Sequence, residues 1–307
     1  MLKIKKNYPI ANLSAFKIGG RARYFCEVKS DKELFEAINV AKKLKVFYKL
    51  VAGGSNVLFP DGILNYMLIK AVKLSSGPSL KIIGNKISVD AGVELLGLIK
   101  KAVSGGLQGL ETLSGIPGTV GGAVVGNAGA YGHSISEVIE KIEIWNGRVK
   151  CWFPKEDCKF GYRHSIFKEK PFIVLRAVLK FKKGDLDELK SISRKTIETR
   201  LQKYKPNLRC AGSFFKNVPI KNISQRALRL IDKSKIIEGK LPAGYLLEQV
   251  GAKGMKTGGI KVADFHSNFL INSGRGKASD VKKLAEILKN SVNKKFGIVL
   301  EEEVRYF

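Results

Sequence analysis

The chain has 307 residues, of which 44% are hydrophobic and 32 are glycine, and its formal net charge is +28 at pH 7. That length and apolar content suffice for a sizeable core and for two or three domains, while no apolar run is long enough to span a bilayer and residues 1–9 lack the apolar segment of a secretory signal, so a cytoplasmic protein without a membrane partner is expected. The basic residues are scattered in pairs such as Lys42-Lys43, Lys182-Lys183, Lys282-Lys283 and Lys294-Lys295, with no aromatic RNA-binding signature beside them, which reads as solvated lysine faces of a lysine-biased chain rather than a nucleic-acid site, a field from which an anionic small substrate and cofactor would also benefit.

Residues 31–46 carry Leu34, Phe35, Ile38, Ala41 and Leu44 at helical spacing behind a capping Ser30 or Asp31, which predicts an amphipathic helix. A strand over 46–52 runs into Gly53-Gly54-Ser55-Asn56, and residues 80–90 read as a hairpin turning at Gly84-Asn85. A second helix is predicted over 94–104, followed by a Gly/Ala-dominated stretch to residue 132 and strands at 138–146 and 172–181. A charged helix over 185–203 is broken by Pro206-Asn207, which marks a domain boundary. Beyond it come a helix over 243–250 with Pro242 at its start and Gly251 past its end, a strand at 269–271, a helix over 279–292 and a terminal strand over 297–307. Helices and strands mix without strict alternation, which predicts an α+β fold.

Two glycine-rich segments carry the chemistry. Gly53-Gly54-Ser55-Asn56-Val57-Leu58 follows a strand, where glycines let backbone N–H groups meet an anion and Ser55 and Asn56 add polar atoms. Gly115-Ile116-Pro117-Gly118-Thr119-Val120-Gly121-Gly122 continues to Asn127-Ala128-Gly129-Ala130-Tyr131-Gly132 and fits neither the Rossmann fingerprint nor a Walker loop. So many small residues make sense where backbone approaches a large flat ligand and its pyrophosphate. The four cysteines, Cys26, Cys151, Cys158 and Cys210, form no C-x-x-C pair and read as free thiols, and His133, His164 and His266 are too dispersed for a histidine metal site, so no metal is expected.

In register, these segments resemble the UDP-N-acetylenolpyruvoylglucosamine reductase family. The resemblance also rests on Phe16-Lys17-Ile18-Gly19-Gly20-Arg21, Tyr162-Arg163-His164-Ser165-Ile166-Phe167, Ala211-Gly212-Ser213-Phe214-Phe215-Lys216-Asn217, Ala243-Gly244-Tyr245-Leu246-Leu247-Glu248-Gln249, His266-Ser267-Asn268-Phe269 and Leu300-Glu301-Glu302-Glu303-Val304-Arg305. It implies a two-part FAD-binding region of the vanillyl-alcohol-oxidase (PCMH) type plus a C-terminal α+β substrate-binding domain. The implied division is 1–60 and 61–204 for FAD and 205–296 for substrate, with 297–307 returning to the first part. The short stretch between Phe181 and Lys203 resembles the family's shorter form, which lacks an inserted tyrosine loop.

The same resemblance implies noncovalent FAD, NADPH as hydride donor, a UDP-sugar substrate and a monomer. It assigns Gly53, Gly54, Ser55, Asn56, Val57, Leu58, Gly115, Ile116, Pro117, Gly118, Thr119, Gly121, Gly122 and Asn127 to FAD, and Tyr162, Asn217 and Glu248 to substrate. It makes Ser213 the proton donor and sets Arg163 and Glu303 beside the substrate carboxylate. Strand alternation alone places Glu301 and Glu303 on one face and does not choose between them. Departures from the family pattern include an extra residue in Asn12-Leu13-Ser14-Ala15-Phe16, Arg209-Cys210 where proline-serine is common, Val218 between Asn217 and Pro219, and Val262-Ala263-Asp264-Phe265-His266. Two other readings stand beside this one: an oxidase of small alcohols or sugars on the same scaffold, in which His133 is the one histidine near the flavin loops, and a basic nucleic-acid-binding protein.

Overall fold

The computed structural model describes residues 2–75, 77–203 and 208–307, so the break expected at Pro206-Asn207 lies outside the described residues. By contact the chain forms two compact units: Met1–Tyr8, Ala22–Gly53 and Asn65–Gln202 make the first, and Pro9–Arg21, Gly54–Leu64 and Lys203–Phe307 make the second.

In the first unit the helix Asp31–Lys43 forms where expected and ends sooner. Ser30 Oγ accepts from Glu33 N at 3.2 Å, Asp31 and Glu33 sit at its positive end, and Lys42 and Lys43 sit at its negative end. Its buried face is Leu34, Ala37, Ile38 and Ala41. The strand Tyr48–Val51 pairs in parallel with Ile63–Ala71 at the edge of a four-stranded sheet. A five-stranded antiparallel sheet runs in the order Lys150–Pro154, Ile139–Trp145, Ile173–Lys180, Lys86–Asp90, Leu80–Ile83, so the hairpin at Gly84-Asn85 is its edge. The helix Leu95–Ser104 buries Leu95, Leu98, Ile99, Ala102 and Val103 in the same apolar core as Ile87, Val89, Ile142, Ile144, Ala177 and Leu179. The helix Val120–Gly126 starts behind the second glycine-rich segment, and Leu186–Lys203 follows the sheet.

The second unit has its own core, built on the helix Ala278–Phe296, which buries Val281, Leu284, Ala285, Leu288 and Val292. Phe16, Ile18 and Leu58 belong to this core together with Phe214 and Phe215, which is why residues far apart in the chain group with the C-terminal third. Asp61 strengthens the grouping: its carboxylate accepts from Ala278 N at 2.6 Å and Ser279 N at 3.0 Å, capping the long helix. Val218–Pro219 pairs with Lys240–Leu241 and closes an excursion whose Ile223, Ala227 and Ile231 are buried.

The terminal strand is shorter than the alternation predicts. The helix runs on to Phe296 and is closed by Gly297 at φ 67°, and the ladder with Val57–Leu58 involves only Arg305–Tyr306. Between them Ile298, Leu300 and Val304 still alternate inward. Their stretch of backbone bonds instead to a non-strand segment: Lys216 N donates to Glu301 O and Glu303 N to Phe214 O, both at 2.8 Å.

Cys26 and Cys158 are buried free thiols, which burial pushes up to about 11 and about 12, and Cys151 and Cys210 are half-buried and free. Among the described residues no helix is long and apolar enough to cross a membrane, and no three His, Cys, Asp or Glu side chains gather as a metal centre.

Candidate active site

The second glycine-rich segment lies in the first unit. Thr119 caps the helix Val120–Gly126 by accepting from Gly122 N at 3.2 Å, and Gly118 O accepts from Leu95 N at 3.0 Å. Its glycines fall into two kinds. Gly121 donates to Ala91 O at 2.8 Å, and a Cβ there would stand 2.8 Å from Ala91 Cβ, so the protein's own packing requires the glycine. Gly115 is restricted by its φ of 81°, whereas the atom nearest its would-be Cβ, Arg200 Cδ at 2.9 Å, belongs to a flexible side chain. Gly122 is exposed, and the nearest protein atom to its would-be Cβ is Thr119 Oγ1 at 3.6 Å. Among the described residues nothing asks for a bare backbone there. Gly53, at the end of the first glycine-rich segment's strand, would place a Cβ 3.2 Å from Gly118 Cα, so the two segments meet backbone to backbone.

The rest of the first segment lies in the second unit. Gly54 has φ 63°, its carbonyl accepts from Ala15 N at 3.0 Å, and a Cβ on it would overlap Leu13 O at 1.7 Å. Ser14 Oγ donates to Val57 O at 2.9 Å, so the N-terminal stretch with its extra residue braces the loop. Asn56 Nδ2 donates to Glu303 O at 3.1 Å, while Asn56 Oδ1 is buried and has no partner among the described residues. A buried amide oxygen left in this way costs about 1–3 kcal/mol unless a ligand donor meets it. Each feature, within its own unit, suits a part of a flavin dinucleotide: the unpaired buried acceptor in the second unit suits a donor, and the open glycine face at a helix start in the first suits a pyrophosphate.

This division of labour predicts different outcomes at neighbouring glycines. Gly122→Val is expected to fold with nearly unchanged melting temperature and to weaken FAD binding at least about tenfold, about 1.4 kcal/mol. Gly121→Val is expected to lower stability by about 2–3 kcal/mol through the clash with Ala91. Thermal melts and FAD titrations of the apoprotein distinguish them; equal behaviour of the two variants would contradict the assignment.

Arg163 sits at the tip of a tight turn in the first unit. Gly161 and His164 exchange both main-chain hydrogen bonds at 3.1 Å, and Arg163 adopts φ 53° with its guanidinium 5.5 Å from the Tyr162 ring centroid. In the second unit Ser213 precedes Phe214 and Phe215, which are fully buried. Glu303 lies across from Phe214, and Phe215 bridges to Glu302. Glu301 is paired with Lys216 and Glu302 lies 3.8 Å from Lys289, whereas Glu303 is stitched through its backbone to Phe214 and Asn56.

Of the substrate candidates, Tyr162 is at the turn's tip, Asn217 Oδ1 accepts from Ala243 N at 3.2 Å, and Glu248 pairs with Lys253 at 2.9 Å on the helix Ala243–Gln249. His133 is exposed and bonded to Glu137 at 2.9 Å. Sequence reasoning assigned no role to Asn268. Its Oδ1 accepts from Phe215 N at 2.9 Å, its Nδ2 donates to Phe215 O at 2.8 Å, and its own carbonyl accepts from Phe214 N at 2.8 Å. This buried asparagine acts as a strand edge for the segment that follows Ser213, and the His266-Ser267-Asn268-Phe269 motif was its only signal.

Comparison with known proteins accounts for both units. Residues 22–149 match the FAD binding domain family, and residues 202–307 match the C-terminal domain of UDP-N-acetylenolpyruvoylglucosamine reductase. The UDP-N-acetylenolpyruvoylglucosamine reductase of Solibacter usitatus is 38% identical over 306 residues, covering 99% of this chain and 97% of the relative. The chain belongs to the UDP-N-acetylenolpyruvoylglucosamine reductase family. The reductase of Caldicellulosiruptor bescii is 37% identical, over 99% of this chain and 91% of its own length. The crystal structure of the reductase from Thermus caldophilus superposes with a TM-score of 0.78 at 27% identity, covering 100% of both chains. As a flavin-dependent reductase of this family, the protein has an α+β fold whose FAD-binding match contains Gly53 to Leu58, residues 115–122 and Asn127. Ser213 and Glu303 fall within the reductase C-terminal match, and Arg163 falls between the two matched spans.

Proposed function

We propose that this protein catalyses the NADPH-dependent, FAD-mediated reduction of UDP-N-acetylglucosamine enolpyruvate to UDP-N-acetylmuramate, a step of peptidoglycan precursor synthesis. The observation that carries the reading is the end-to-end relation to the Solibacter usitatus reductase, 38% identical over 99% of the chain. FAD is held by the glycine-rich segments at 53–58 and 115–122 and, when bound, supplies hydride transfer between NADPH and the enolpyruvyl group.

The residues' roles follow from the charge that the reaction builds. Reduction of the enolpyruvyl double bond at its terminal carbon leaves negative charge on the carbon bearing the carboxylate, spread into the carboxylate oxygens. Arg163 meets that charge with a planar fork of donors that does not lose its proton. Glu303 flanks the same carboxylate, and the Ser213 hydroxyl delivers the proton to carbon. Tyr162, Asn217 and Glu248 contact the UDP-sugar. Functionally, residues 1–60 and 61–204 serve the flavin and 205–296 the substrate, in a cytoplasmic monomer.

The purified protein is expected to show a flavin absorbance spectrum and to release intact FAD into solution on heat denaturation. A colourless protein that takes up no added FAD would overturn the reading.

A further inference from the structure

Asn127 stands in a run that the family resemblance gives to the flavin, yet its side-chain amide is engaged elsewhere. The helix Val120–Gly126 ends on it at φ 43°, ψ 61°, a left-handed conformation that asparagine tolerates better than most residues. The side chain is buried. Its Nδ2 donates to Gly161 O at 2.8 Å, and its Oδ1 accepts from Ser136 N at 3.3 Å.

Gly161 is the base of the turn that carries Arg163. The tip of that turn holds a non-glycine residue at φ 53°, a left-handed conformation that L side chains disfavour. Such a tip keeps its shape only when its flanks are clamped. The clamps are visible: Asn127 at Gly161, Ser165 Oγ donating to Val125 O at 2.7 Å, and Lys168 Nζ donating to Arg163 O at 2.8 Å. The first two fasten the turn to the C-terminal end of the helix whose N-terminal glycines form the second flavin segment.

We infer that Asn127 is a positioning residue for Arg163, tying the arginine's turn to the flavin-binding helix, and that it serves the reduction through Arg163 without contacting the flavin. The inference rests on Arg163 acting as proposed above. Asn127→Asp keeps the size, the left-handed preference and the acceptor for Ser136, but sets a carboxylate oxygen against the Gly161 carbonyl. Asn127→Gly keeps the conformation and removes both side-chain bonds, so it carries the test if the aspartate variant is poorly folded.

Three measurements on reconstituted holoprotein test the inference. In either variant the FAD dissociation constant and anaerobic reduction by NADPH are expected to stay within about threefold of wild type, while reoxidation by the enolpyruvyl UDP-sugar slows at least about tenfold. Arg163→Lys, which loses the planar fork, is expected to slow the same half by at least about tenfold, and adding Asn127→Asp to it to change the rate by less than about twofold, because both act at one point. Amide hydrogen exchange at Gly161 and His164 is expected to speed up in both Asn127 variants, a readout independent of activity. FAD binding weakened with normal reoxidation at saturating FAD would make Asn127 a flavin ligand, and equal slowing of both halves, additive effects with Arg163→Lys, or unchanged exchange would each overturn the inference. Failure of the wild-type protein to be reoxidised by the substrate would count against the proposed function alone, since hydrogen exchange still reads the turn.

Discussion

Ser213→Ala is expected to leave reduction of the flavin by NADPH within about twofold of wild type and to slow reoxidation by the enolpyruvyl substrate by about a hundredfold to ten-thousandfold, the range that a positioned general acid contributes. Only the second half of the cycle puts a proton on carbon, so only that half needs the hydroxyl. The local structure supports a clean substitution. The segment after Ser213 is held by main-chain bonds to Glu301 and Glu303 and by the Asn268 side chain, and none of these involves the serine side chain. Ser213→Cys offers a donor of similar size with an unperturbed pKa of about 8.5 and is expected to recover part of the lost rate. Rapid-mixing absorbance of the flavin band follows each half separately. Equal slowing of both halves in a folded, FAD-bound Ser213→Ala protein would remove Ser213 from the chemistry.

Gly54→Ala is expected to be the most destabilising single change in the flavin segments. The residue's φ of 63° alone costs an L side chain about 1 kcal/mol or more. The added Cβ would also fall 1.7 Å from Leu13 O, a backbone atom that moves only if the stretch braced by Ser14 on Val57 and by Ala15 on Gly54 moves with it. A total near 3–5 kcal/mol follows, the size reserved for strain and overpacking at a fixed backbone position. Gly62→Ala is the control: a Cβ there meets nothing within 4 Å. Denaturant melts of the apoproteins are expected to show a large fall in midpoint for Gly54→Ala and little change for Gly62→Ala. A Gly54→Ala protein as stable as wild type would mean that the loop does not pass under Leu13 as described.

The sequence made legible what depends on neighbours along the chain. Ser30 and the spacing of Leu34, Ile38 and Ala41 specify their helix unaided, and Gly84-Asn85 specifies its hairpin. What stayed hidden depends on distant partners. Nothing in Phe16, Ile18 or Leu58 announces that they pack with Phe214 and the C-terminal helix. The alternation of Ile298, Leu300 and Val304 reads as a strand because burial alternates, although the backbone bonds there go to residues 214–216 and to the first glycine-rich segment. Nor does the alternation show that Glu301 pairs with Lys216 or that Glu302 lies 3.8 Å from Lys289. Motif resemblance marks the loops but not the division inside them, where Gly121 serves Ala91, Gly122 is left open, and Asn127 turns toward Gly161.

The most direct test is a single anaerobic turnover of the wild-type protein. Holoprotein reduced with one equivalent of NADPH, then mixed with UDP-N-acetylglucosamine enolpyruvate in the absence of oxygen, is expected to regain its oxidised flavin spectrum with one UDP-N-acetylmuramate formed per flavin. A flavin that stays reduced with that substrate and is reoxidised only by oxygen would contradict the assignment of this chain as the reductase.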